Sequence, residues 1–119
     1  MAEGFANHYG KDVLIGASAG VMPVSFLDPR TVVVMEERGV DVSPHVPSQY
    51  DARNADCDFV VNLSGLAIEA PANAKLIDWK VRDPYNADLD FYREIRDEID
   101  RLVMLFILEQ RRLRSQEVA

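Results

Sequence analysis

The chain has 119 residues, with 13 basic against 20 acidic side chains and a net charge of -7. That length suits one domain with a single core, and the negative balance argues against a nucleic-acid partner, which demands basic patches. Apolar residues make up 48% and charged residues 28%, as in ordinary globular proteins, and no apolar run approaches the ~18 residues of a membrane span.

The single cysteine, Cys57, excludes an internal disulfide and a relay between two thiols. Met1-Ala2-Glu3-Gly4-Phe5 lacks the basic and apolar regions of a signal peptide, so the expected location is the cytoplasm.

Ala2 to Tyr9 reads as a short helix closed by Gly10, since glycine commonly ends helices. Val13 to Ser18 is a continuous apolar run of strand length, followed by a loop punctuated by Gly20 and Pro23. Asp28-Pro29 signals a helix start, an acidic cap before proline at the first position. That helix stops at Gly39. Val40 to Ser43 alternates like an edge strand limited by Pro44 and Pro47. A polar stretch from Ser48 to Ala55 has room for one helical turn.

Cys57 to Leu63 is the second predicted strand, followed by a loop from Ser64 to about Ala74. Lys75 to Trp79 is the third. The longest helix is predicted from Asp88 to about Arg114. Phe91 or Tyr92, Ile95, Ile99, Leu102, Phe106 and Leu113 mark its buried face, with Arg96 among the residues of its wet face. The apolar run Val103 to Leu108 covers its whole circumference, to be met by a partner subunit or by the rest of the same chain. The alternation of helices and strands predicts an α/β fold, three layers with a mainly parallel sheet.

Asp83 falls just past the third strand, in Trp79-Lys80-Val81-Arg82-Asp83-Pro84-Tyr85. Open α/β sheets keep their working groups at the carboxyl ends of their strands. Proline after Asp83 stiffens the turn. A carboxylate there suits a proton donor or acceptor; it equally suits a turn or helix cap. His8 and His45 have no metal-ligand spacing with Cys57 and read as surface or capping residues, so no metal is expected. Cys57 reads as a small core or edge residue.

Taken in order, Met1 to Ala6, Ser18-Ala19-Gly20, Asp28-Pro29-Arg30, Val34 to Ser43, Asp58 to Val61, Trp79 and Asp83-Pro84-Tyr85 resemble one family. It is that of the low-molecular-weight protein tyrosine phosphatases and the thioredoxin-coupled arsenate reductases of the same fold. The resemblance implies a four-stranded parallel sheet with helices on both faces and no cofactor. It implies a Cys, five residues, Arg loop that cradles a phosphate or arsenate oxyanion and attacks it with a thiolate. Asp83 would then be the general acid, Trp79 and Tyr85 would line the substrate cleft, and Glu3 and Ser18 would support the phosphate loop.

The sequence departs from that pattern at the nucleophile. In the family the loop stands immediately before the segment matching Met1 to Phe5, and this chain has no residues there. Cys57 is no substitute, because Leu63 stands six positions on, where arginine is needed. Ser64 lies where the reductases carry a resolving cysteine. The expectation is a catalytically inactive domain lacking the family's central first strand, with Asp83 vestigial. The alternative is a phosphatase or arsenate reductase whose catalytic loop lies in residues this chain lacks. A homodimer through exposed strand edges and the run Val103 to Leu108 is the expected compensation.

Overall fold

The computed structural model describes residues 1–21, 27–53, 55–84 and 87–118. Five elements run in the order α1 (Ala2–Tyr9), α2 (Pro29–Glu36), β1 (Phe59–Asn62), β2 (Lys75–Asp78) and α3 (Leu89–Val118). The strands pair in parallel, in register Phe59 with Lys75 through Asn62 with Asp78. The fold is therefore α/β with a parallel sheet and accompanying helices.

α2 begins as its sequence dictates. Asp28 is extended and accepts from the Arg30 amide, and proline fills the first turn. It ends in the turn before Gly39, whose φ of +72° is the left-handed conformation that glycine adopts without strain. Gly10 also closes a helix, but at φ -112°. Its reason is packing: a Cβ there would lie 2.9 Å from the Ala6 carbonyl oxygen and 3.0 Å from Ile107 of α3.

The core lies among the helices. Phe5, Met35, Val40, Ile95, Ile99, Val103 and Ile107 form one buried cluster, with Leu14, Leu63, Trp79 and Val81 packed against its edge. On α3 the buried row steps by four from Ile95 to Ile107. It does not drift to Leu102 and Leu113 as the periodicity predicts; Leu113 is exposed. Phe106 instead turns sideways, edge-on to Phe59 of β1 and to Trp79 just past β2. Most of the apolar run is thus covered by its own chain, leaving Leu105 and Leu108 exposed. Arg96, read as wet, is buried, because its Nη1 reaches the Val34 carbonyl oxygen (3.1 Å) and Glu37 (2.6 Å).

Two predicted strands do not form. Val13 to Ser18 has no ladder; its partners are the Gly10 carbonyl, the side chains of Glu3 and Ser48, and the Asn7 side chain, which holds both the N–H and C=O of Gly16. Val40 to Ser43 is also irregular, since Asp41 accepts from the Ser43 amide and hydroxyl and makes a local turn. The second and third strands are shorter than predicted, and Cys57 lies before β1, exposed rather than packed. α3 runs past Arg114, which donates to the Asp12 carbonyl oxygen, while Arg111 forks onto Asp12 at 2.9 Å. Within Ser48 to Ala55 the chain turns at Ala52 and Arg53.

Candidate functional site

Asp83 stands in the loop leaving the carboxyl end of β2, exposed, with Pro84 after it. The loop is anchored from behind by three side chains that the sequence had marked only as cap, helix and core. Arg30 grips Asp28 through Nε (3.1 Å) and Nη2 (2.9 Å), donates from Nη1 to the Ala87 carbonyl oxygen (2.7 Å), and lies over the Tyr92 ring. The Tyr92 hydroxyl donates to Asp28 Oδ2 at 3.0 Å. The start of α2, the first turn of α3 and the end of the Asp83 loop thus meet on one buried tyrosine and one guanidinium.

The electrostatics follow that geometry. Hydrogen bonding from Arg30, with the Arg30 amide and Tyr92 adding to it, holds the Asp28 carboxyl at about 2. Burial and the bond to Asp28 raise the Tyr92 phenol, and the nearby charge of Asp83 adds a smaller push in the same direction.

A second polar group lies at α1. Ser18 Oγ donates to Glu3 Oε2 at 2.5 Å, and His45 Nδ1 stands 3.1 Å from the same oxygen. Ser48 Oγ donates to the Ser18 carbonyl oxygen, tying this cluster to the following loop. Glu3 and Ser18 are brought together, and His45 joins them as a third member that the sequence did not mark. Its sequence signal was weak: a lone histidine in a Pro-flanked loop.

Trp79 is half-buried against Phe106 and the helical core. Tyr85 lies outside the described residues. Asn62 was also missed. Buried at the end of β1, it donates to the Leu66 carbonyl oxygen and to Asp78, and accepts from the Ser64 amide and hydroxyl. It fixes the turn out of β1 against the end of β2; the Asn-x-Ser-Gly spacing of a side-chain-capped turn was the available clue.

Cys57 occupies the other end of the sheet. The strands run parallel, so the thiol ahead of β1 and the carboxylate beyond β2 are separated by strands of about 13 Å. A shallow, open cleft of about 320 Å³ is lined by Gln49, Tyr50, Asp51, Arg53, Ile68 and Glu69, and it includes none of the candidate residues. No group of three or more metal-ligating side chains occurs among the described residues, and none of the described helices is long and apolar enough to cross a membrane.

A parallel sheet with helices packed on it places this chain among the open α/β domains, which bind ligands at the carboxyl ends of their strands. Over residues 1–118 the chain matches the low molecular weight phosphotyrosine protein phosphatase family, and it belongs to that family. It is 31% identical over 108 residues to a glutaredoxin arsenate reductase of Synechocystis, spanning 87% of this chain and 82% of that one. Among solved structures it is similar to an arsenate reductase in the phosphate binding state, with TM-score 0.75 and 27% identity over 91% of this chain and 86% of that one. An arsenate reductase from Archaeoglobus fulgidus shares the fold at TM-score 0.74 and 22% identity, over 89% and 86% of the two chains.

Proposed function

We propose that this chain carries the general-acid side of an arsenate- or phosphate-type oxyanion site and, by itself, turns over no substrate. The observation that carries this reading is the placement of its only thiol. Cys57 lies at the amino end of β1, and Asp83 lies beyond the carboxyl end of the parallel β2. In-line displacement needs nucleophile and acid on opposite sides of one central atom, a few ångströms from each. Strands of about 13 Å do not allow that.

Arsenate is favoured over an aryl phosphate as the ancestral oxyanion, because the relatives and solved structures described above carry the name arsenate reductase. Trp79 and Asp83 would line the ancestral cleft, with Glu3 and Ser18 beneath it. Tyr85, which leans toward the phosphatase branch, would be the cleft's other aromatic. The family relationship supports a cytoplasmic setting.

The test is direct assay of the purified chain, with p-nitrophenyl phosphate and with arsenate plus a thiol reductant. The expected result is no turnover above buffer for the wild type, Cys57→Ser and Asp83→Asn. Turnover lost on Asp83→Asn would overturn the reading.

A second reading is an active reductase or phosphatase whose nucleophile loop lies outside these residues. It draws on coverage: the matches leave part of the relatives' own chains unaccounted for, 18% of the Synechocystis protein. An in-frame Cys, five residues, Arg in the DNA just upstream of Met1 would select it.

A further inference from the structure

α3 buries one side only. Ile95, Ile99, Val103 and Ile107 enter the core, and Leu105 stands about 200° around the helix from Val103. On that outer side Glu94, Arg101, Leu105, Leu108 and Arg112 are exposed, and Glu98 is half-buried. Steps of four and three residues alternate along this row, the period of a seam that a second helix covers. Arg82 reaches the start of the seam, 3.7 Å from both Glu94 and Glu98.

The charges on the seam invert about Leu105. Leu102 and Leu108 stand three residues before and after it. Arg101 stands four before it and Glu109 four after it, while Glu98 stands seven before it and Arg112 seven after it. Offsets of three, four and seven return to one face of a helix. Glu109 is held by its own Arg112, whose Nε donates to it at 3.0 Å. Arg101 makes no hydrogen bond or ion pair among the described residues, although acidic side chains outnumber basic ones 20 to 13.

We propose that α3 pairs antiparallel with the same helix of a second copy, about a two-fold axis at Leu105. Such a contact sets each residue against the one equally far on the other side of the axis. Leu105 then meets its mate, Leu102 meets Leu108, Arg101 meets Glu109, and Glu98 meets Arg112. Every one of these charged pairs is of opposite sign, and each occurs twice. A parallel pair would set Arg101 on Arg101 and Glu98 on Glu98, so the charges fix the direction. Each half of the contact becomes a chain of four alternating charges: Glu98 of one copy, Arg112 and Glu109 of the other, and Arg101 of the first. Networks of this kind contribute more than isolated exposed pairs.

The net charge of -7 acts against the dimer, because two copies repel until they touch. One helix face also buries less than a standard interface of about 1,600 Å². Association is therefore weak, with Kd on the order of 100 µM. The local inversion of charge, and not the net charge, selects a second copy as the occupant.

Sedimentation equilibrium of the whole chain from about 10 µM to about 1 mM tests this. The variants are Leu105→Lys, Arg101→Glu, Glu109→Arg and, as a control at a distant apolar residue that is 97% exposed, Ile15→Lys. The expected result is a monomer–dimer equilibrium weakened roughly tenfold or more by each of the first three, since like charges then meet across the axis. Ile15→Lys should leave it unchanged. An equimolar mixture of Arg101→Glu and Glu109→Arg should associate again, because each copy then carries the charge that the other needs. A purely structural role for either residue would not produce that rescue. Leu105→Cys in a Cys57→Ser background should cross-link under oxidation, and Val46→Cys should not. A monomer throughout with no Leu105 cross-link, a mixture no tighter than its components, assembly beyond the dimer, or a dimer lost only in Ile15→Lys would overturn the proposal.

Discussion

The carboxylate of Asp28 holds three elements together, and replacing it by asparagine isolates what its charge contributes. Its pKa falls from 3.8 to about 2, chiefly through the Arg30 side-chain bonds. At about 1.36 kcal/mol per decade, that gap corresponds to about 2.4 kcal/mol in full. The side chain is 31% exposed, and solvent screening brings the contribution to about 1–2 kcal/mol. The sign follows from the depressed folded value: the stabilisation is fully present above the unfolded pKa near 4 and is lost as pH falls toward 2.

Urea unfolding of wild type and Asp28→Asn, followed by the fluorescence of Trp79, should therefore differ by about 1–2 kcal/mol at pH 7. That difference should shrink by about half at pH 3. Other carboxylates titrate in both proteins and cancel in the comparison. A difference that stays constant from pH 7 to pH 3 would refute the assignment to the Asp28 charge.

Three further substitutions probe the frame around the site. Phe5 is fully buried and stacked on Tyr9, so Phe5→Ala should cost about 3–5 kcal/mol by urea unfolding. Gly39→Ala meets no atom within 4 Å and should cost about 1–2 kcal/mol from its positive φ alone, with an unchanged m-value. Asn62→Ala removes four bonds at the end of β1. It should cost about 1–3 kcal/mol and speed amide exchange of Ser64 and Leu66 more than that of α3.

The helices were legible because their signals are local. Asp28-Pro29 starts one, Gly39 ends it, and the apolar spacing of α3 from Ile95 onward marks its inner face. Strands need partners, and a partner is not a local property. Val13 to Ser18 has the composition of a buried strand, yet it runs without a ladder, because its bonds go to the Asn7 and Ser48 side chains rather than to another strand among the described residues. Arg96 was misread for a related reason: only the fold brings the Val34 carbonyl and Glu37 to meet its guanidinium. The Asp83 loop was placed correctly at the carboxyl end of a strand. Its anchor, Arg30 with Tyr92 and Asp28, joins segments more than fifty residues apart in sequence, and the order of residues carries no trace of it.

We propose that Asp83 and Cys57, which lie at opposite ends of the sheet, share no reaction. Steady-state arsenate reduction by this chain, compared among wild type, Cys57→Ser and Asp83→Asn, tests it most directly. The account predicts no turnover above the reductant alone in any of the three. Turnover by the wild type that vanishes in either variant would contradict it.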